Sequence, residues 1–301
     1  MSSIERVAFL CLGVMGGPMA GHLARAGLDV TVYNRTPKRV QEWLVEHADQ
    51  SVASAATPEE AARNADVVFA CTGADPDLEE LVLGPNGALA GMAAGAVFVD
   101  HTTASAGLAR ELAVRLSSQG IGFLDAPVSG GQAGAESGQL TIMIGGEEAT
   151  YRRIAPLLGH YAKKHLLLGP AGSGQLTKMV NQICIAGLLE ALAEGLQFAE
   201  AAGLDAARVV EVISEGAAGS WQMSNRAETM IEGRFDFGFA VDWMRKDLSM
   251  ALEEGARLGL PLPVTELVDG LYAEVQRLGG GRLDTSSLLL GLKDRRDRGD
   301  L

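Results

Sequence analysis

The 301-residue chain has only three cysteines, Cys11, Cys71 and Cys184, too scattered for a disulfide framework or a zinc site. Their apolar neighbours imply reduced core thiols and a cytoplasmic protein. With 10 prolines and no Gly-X-Y period, collagen is excluded. Positive charge is also scarce. Lys+Arg number 25 against 38 Asp+Glu, a formal −13, which disfavours nucleic acid or an anionic membrane surface as the main partner. A local basic spot can still hold a small anion. Two uncharged stretches imitate membrane segments. Residues 7–24 are broken by Gly-Val-Met-Gly-Gly-Pro, and residues 81–99 by the turn Gly84-Pro85-Asn86-Gly87, so neither is expected to insert.

What is present is an ordinary globular balance, 47% hydrophobic and 21% charged, in a length that suits roughly two domains of ~100–200 residues. Glycine is in excess: 38 residues, nearly double the ~7% average, which implies backbone placed tightly against something else.

Up to residue 168, short β-rich runs at 7–12, 30–33, 67–71, 97–100, 122–125, 140–144 and 165–168 alternate with helical patterns. Near-continuous apolarity in the first runs implies strands buried on both faces of a parallel sheet. Thr57-Pro58-Glu59-Glu60 reads as a helix start with Thr57 as N-cap, Pro58 at N1 and Glu60 closing a capping box, and Asp75-Pro76 as another. An α/β doubly wound, Rossmann-type domain over 1–168 is expected. Residues 169–301 read as an all-α domain for substrate and oligomerisation. It opens on a helix over about 174–202, apolar on nearly every face, which needs more than one neighbour to bury it. Gly187 and Gly195 suit close helix packing there. Residues 293–301 read as a solvated, frayed tail.

The run Cys11-Leu12-Gly13-Val14-Met15-Gly16 follows a strand and opens a helix from about Pro18. Its spacing is that of G-x-G-x-x-G with the first glycine replaced by Cys11. The second glycine lets a pyrophosphate approach the backbone, the third lets helix pack on strand, and the helix N-terminus supplies donors. A Cβ at Cys11 is expected to crowd that turn and weaken pyrophosphate binding. Cys11 and Cys71, both at strand ends, would make the site oxidation-sensitive if they lay close. The second strand ends in Asn34-Arg35-Thr36. An NAD-specific site would place an acid there, whereas uncharged Asn34, the Arg35 cation and the Thr36 hydroxyl suit a 2′-phosphate, so NADP(H) is preferred and NAD(H) remains possible.

By these residues the chain resembles the β-hydroxyacid dehydrogenase family of 3-hydroxyisobutyrate dehydrogenases, tartronate semialdehyde reductases and glyoxylate/succinic semialdehyde reductases. The first of four signatures in family order is 12–20, the cofactor-binding opening. The second is Asp125-Ala126-Pro127-Val128-Ser129-Gly130-Gly131, where the resemblance implies that Ser129, Gly130 and Gly131 hold a substrate carboxylate; a hydroxyl and bare N–H groups make a nest for an anion. The third, 172–182, implies Lys178 as catalytic lysine and Asn181 as the group orienting the substrate, with Gln182 where many members have a second Asn. The fourth, Arg245-Lys246-Asp247-Leu248, implies that Lys246 reaches the cofactor. Thr103, Cys71 and Thr72 match strand-end cofactor contacts. His101 fills a variable position and reads as structural. Trp221 falls where the helical domain lines the pocket, or else in a core. Residues 281–286 resemble a C-terminal Asp/Ser segment near the active site.

The implied reaction is reversible hydride transfer between NADPH and the carbonyl carbon of a small aldehyde or keto acid, with no metal. Lys178 acts as general acid or base, its pKa lowered by burial and by the positive nicotinamide ring. A homodimer or homotetramer acting on a small organic acid is expected. The alternatives are an imine reductase-like enzyme, which usually lacks the lysine, a 6-phosphogluconate dehydrogenase, which has Lys-x-x-His-Asn and a longer chain, and a non-catalytic NADPH-binding sensor or scaffold.

Overall fold

The computed structural model describes residues 4–299. They divide into two units, one ending at Lys178 and the other beginning at Met179.

The first unit is built on nine strands: β1 (Arg6–Leu10), β2 (Asp29–Tyr33), β3 (Val52–Ser54), β4 (Val67–Ala70), β5 (Val97–Asp100), β6 (Gly122–Asp125), β7 (Val128–Ser129), β8 (Leu140–Gly146) and β9 (Ala162–Gly169). Six run parallel in the order 3-2-1-4-5-6, the doubly wound order with its reversal between β1 and β4. β8 extends the sheet antiparallel to β6 and β7, and β9 pairs parallel with β8. Alternation along the central strands feeds two cores. Val7, Phe9, Val30, Val32 and Phe69 pack on one face of the sheet; Ala8, Leu10, Val68 and Phe98 pack on the other. Helices Gly16–Arg25 and Ala106–Ser117 each contribute leucines, Leu23 to the first core and Leu112 to the second.

Helix starts follow local chemistry in part. Thr57 caps Pro58–Ala62 by accepting from the Glu60 N–H at 3.1 Å, while the Glu60 carboxylate accepts from Ala56 N rather than Thr57 N. Asp75, by contrast, caps nothing. The helix Asp75–Leu83 begins after Ala74, and the Asp75 carboxylate accepts the backbone N–H of Ser105 at 2.8 Å.

The helix Ser173–Ala201 runs 29 residues across the division. In the second unit it packs Leu189, Leu192 and Leu196 with helices Trp221–Ile231, Val241–Arg257 and Pro263–Arg277 around Met230, Leu248 and Tyr272. It is long and apolar enough to cross a membrane, with 44% of its most apolar window buried. Val180, Leu188 and Phe198 on this helix are exposed in the single chain. The expected frayed tail is corrected. Leu288–Arg298 is a helix, anchored by Lys293 to Glu200 at 3.0 Å and by the Arg295–Glu274 pair; Asp300 and Leu301 lie outside the described residues. Nor are the cysteines core thiols. Cys11 and Cys71 are half-buried and Cys184 is exposed.

Candidate active site

In the first unit the carboxyl ends of β1, β2, β4, β5 and β6 bring the sequence-predicted residues to one edge of the sheet. At β1 the chain turns through Cys11, which adopts φ +77°, a left-handed conformation that a side chain makes costly. Burial, then the Asp77 carboxylate, push its thiol pKa up to about 11. Cys11 packs with Tyr33 on one face of the sheet and Cys71 with the core of the other, which removes the basis for a Cys11–Cys71 redox pair. Leu12 is buried, Val14 is exposed, and Met15 precedes the helix Gly16–Arg25, whose N-terminus no side chain caps. A Cβ at Gly16 would run into the Cys11 carbonyl oxygen, whereas one at Gly13 would meet open space. An uncapped helix start beside an open glycine fits the pyrophosphate of a dinucleotide.

Asn34 has a structural task here that its position in sequence did not disclose. Its Oδ1 accepts the Leu12 N–H at 2.9 Å and its Nδ2 donates to the Thr36 carbonyl, so it braces the turn. Arg35 is exposed, with Nη1 3.6 Å from Asp77 Oδ1, and Thr36 immediately precedes the helix Pro37–Glu46.

Thr72 and Thr102 meet at the ends of β4 and β5, the Thr72 N–H donating to Thr102 Oγ1 at 2.9 Å, with Thr103 next in line. Asp100, fully buried, accepts the Thr102 N–H; burial pushes its pKa up to about 7. His101 is structural, as read from sequence. Its Nδ1 lies 2.6 Å from the Ala126 carbonyl and its Nε2 2.9 Å from the Tyr161 hydroxyl, and burial pushes its pKa down to about 4.

The root of the long helix is fixed by residues given no role beforehand. Asp125, at the end of β6, accepts the N–H groups of Gly172 at 2.7 Å and Gln175 at 3.0 Å. The Gln175 amide then donates to the Thr102 carbonyl and accepts from Ala104 N. A buried glutamine three residues before Lys178 on an apolar helix was the available signal. Lys178 itself is only 7% exposed. Ser129 ends β7, and Gly130 and Gly131 follow at φ +129° and +62°, conformations open to glycine.

In the second unit, Asn181 Nδ2 donates to Gln182 Oε1 at 2.8 Å, Gln182 Nε2 donates to Asp247 Oδ2 at 2.7 Å, and Lys246 Nζ lies 3.2 Å from Asp247 Oδ1. Trp221 stands outside this chain. It is 58% exposed, not a core residue, with the Arg226 guanidinium 5.2 Å from its ring centroid and 5.1 Å from that of Phe237. Arg226 is held by Asp284 at 3.2 Å, the acid of the 281–286 segment. Among the described residues no cluster of His, Cys, Asp and Glu could hold a metal.

A doubly wound sheet with an open glycine turn, followed by a helical domain, is an arrangement suited to a dinucleotide-binding protein. Residues 6–169 match the family model of the NAD binding domain of 6-phosphogluconate dehydrogenase, and residues 172–291 that of the NAD-binding domain of NADP-dependent 3-hydroxyisobutyrate dehydrogenase. An uncharacterized oxidoreductase of Shewanella frigidimarina is 57% identical, over 97% of this chain and 100% of its own length. The 2-hydroxy-3-oxopropionate reductase of Escherichia coli is 37% identical over 96% of this chain and 97% of its own. The structure of Mycobacterium tuberculosis 3-hydroxyisobutyrate dehydrogenase superposes with a TM-score of 0.85 at 31% identity, covering 96% of this chain and 99% of that one. The chain belongs to the β-hydroxyacid dehydrogenase family and is an NAD(P)-dependent hydroxyacid dehydrogenase.

Proposed function

We propose that the chain transfers a hydride between NADP(H) and a short β-hydroxyacid or semialdehyde carboxylate, with Lys178 as general acid and base. The observation that carries this reading is Lys178 itself, a lysine only 7% exposed on an apolar helix, three residues beyond the Gln175 that ties the helix root to the sheet. A proton donor held at a fixed place is what a developing alkoxide requires. When bound, the nicotinamide supplies the hydride. Lys178 gives its proton to the substrate oxygen in reduction and removes it in oxidation, while Asn181 holds that oxygen. Ser129 Oγ and the N–H groups of Gly130 and Gly131 anchor the carboxylate and so select the carbon presented. Trp221 supplies an apolar wall. The relatives named for 2-hydroxy-3-oxopropionate and 3-hydroxyisobutyrate support a short acid of this class.

The cofactor-binding set is residues 12–16, Asn34, Arg35, Thr36, Cys71, Thr72, Thr103 and Lys246. Arg35 and the absence of an acid at Asn34 support NADP(H) over NAD(H). The exposed Arg35–Asp77 pair contributes little in water, roughly 0–1 kcal/mol, and yields readily to a phosphate. Exposed Val180, Leu188, Phe198, Val264 and Leu267 in the second unit support a homodimer or homotetramer, which light scattering would measure.

The test is oxidation of NADPH and NADH with glyoxylate, succinic, tartronate and methylmalonate semialdehydes. Lys178→Ala is expected to lower kcat by about 10²–10⁴ while leaving the Kd for NADPH unchanged. Near-normal kcat in that variant overturns the assignment.

A further inference from the structure

We infer that Gln182 and Asp247 are positioning residues that dictate which end of the Asn181 amide faces a bound reactant; the inference rests on the reading of Asn181 given above. The argument begins with Asp247, whose carboxylate oxygens only accept hydrogen bonds. Because Gln182 Nε2 lies 2.7 Å from Asp247 Oδ2, the Gln182 amide presents an N–H there and turns its carbonyl away. That carbonyl oxygen accepts the N–H of Asn181 Nδ2 at 2.8 Å. The orientation of Asn181 is therefore set, at two removes, by a carboxylate it does not touch.

Two further contacts keep the chain from reversing. Lys246 Nζ lies 3.2 Å from the other Asp247 oxygen, and Gln182 Nε2 lies 3.9 Å from the Met244 thioether, a weak acceptor. Gln182 is 2% exposed and Asp247 1%, so water does not compete for these groups. Asn181 spends one N–H on Gln182 and keeps a second N–H on the same nitrogen. An N–H stabilises an oxygen that gains negative charge during reduction, whereas a reversed amide would set its carbonyl against that oxygen. The methylene that distinguishes Gln182 from asparagine thus has a use, since the residue bridges Asn181 to Asp247.

The experiment is a set of double-mutant cycles on the full-length chain, read as kcat and as KM for NADPH. Gln182→Met is expected to lower kcat by about tenfold, and Asp247→Asn by several-fold, with both leaving KM for NADPH within about twofold. The double variant is expected to be no worse than Gln182→Met alone, and in an Asn181→Ala background neither change is expected to matter further. Wild-type kcat in Gln182→Met, or an undiminished effect of Gln182→Met in the Asn181→Ala background, overturns the inference. Wild-type kcat in Asn181→Ala overturns the reading of Asn181 itself, a different result. A readout independent of activity is the ¹⁵N side-chain amide signal of Asn181, identified by its loss in Asn181→Ala. It is expected to shift in Asp247→Asn, and an unmoved signal counts against the relay even where Gln182→Met fails to fold.

Discussion

The helix Ser173–Ala201 deals with buried carboxyl groups in two places and in opposite ways. At its root, Asp125 accepts from Gly172 and Gln175. Burial raises the Asp125 pKa, and the backbone N–H groups of the root pull it back. About four turns further on, Glu190 is 6% exposed and neither of its oxygens has a hydrogen-bond partner among the described residues. Burial, then the Glu194 carboxylate, push its pKa up to about 7, against the lowering effect of Arg295. The first turn of a helix has N–H groups with no intrahelical acceptor, so a carboxylate there is matched by donors the helix must satisfy anyway. In mid-helix every N–H is already bonded. A carboxyl buried there has protonation as its main recourse.

That contrast can be attacked at the root first. Asp125→Asn leaves one acceptor where there were two and turns an NH₂ toward a backbone donor. A loss of about 2–3 kcal/mol in urea-unfolding stability is expected, with kcat down about tenfold as Lys178 loses its fixed origin. An unchanged urea midpoint would show that the root holds without the carboxylate.

The middle should respond with the opposite sign. The folded pKa of Glu190 stands above its ordinary 4.5, so wild-type stability falls as pH rises from about 4.5 to about 7 and stays low beyond. Glu190→Gln is expected to add of order 2 kcal/mol at pH 8 and almost nothing at pH 4. Thermal midpoints at the two pH values measure this; a gain of equal size at both would mean that ionisation is not the cause.

The smallest effect is expected at Cys11, the one strained position of the phosphate turn. Cys11→Gly should stabilise by about 0.5–1 kcal/mol, since relief of a left-handed φ outweighs the entropy of glycine, while Cys11→Ala keeps the strain and serves as control. Titration with NADPH completes the comparison. Equal affinity in wild type and Cys11→Gly would show that the turn tolerates its side chain.

Much of the first unit was legible because its signals are local. Apolar runs such as Val97–Asp100 and the Thr57-Pro58 helix start need only neighbouring residues to declare themselves. The three-residue strand Val52–Ser54 and the two-residue Val128–Ser129 are too short to carry a period, and sheet pairing alone makes them strands. Asp75-Pro76 does open a helix, yet the task of the Asp75 carboxylate was hidden for a related reason. Its partner, the Ser105 N–H, lies thirty positions away, beyond the reach of a capping rule. The candidate site divides likewise. The glycine turn stands out in the chain and the family resemblance points to Lys178 and Asn181, whereas the roles of Asp125, Gln175 and Asp247 depend on partners far off in sequence.

Composition and local pattern sufficed for the alternation of strands and helices, the helix that opens after the glycine turn and the kind of residue at each candidate position, because these depend on backbone conformation and burial periodicity within a few residues. Tertiary structure alone settled what each polar side chain does with its donors and acceptors: Asn34 bracing a turn, Asp125 closing a helix root, Gln182 pointing its N–H at Asp247. A hydrogen bond is short and directional, and its partner is chosen by where the fold brings distant segments together, which no stretch of neighbouring residues encodes.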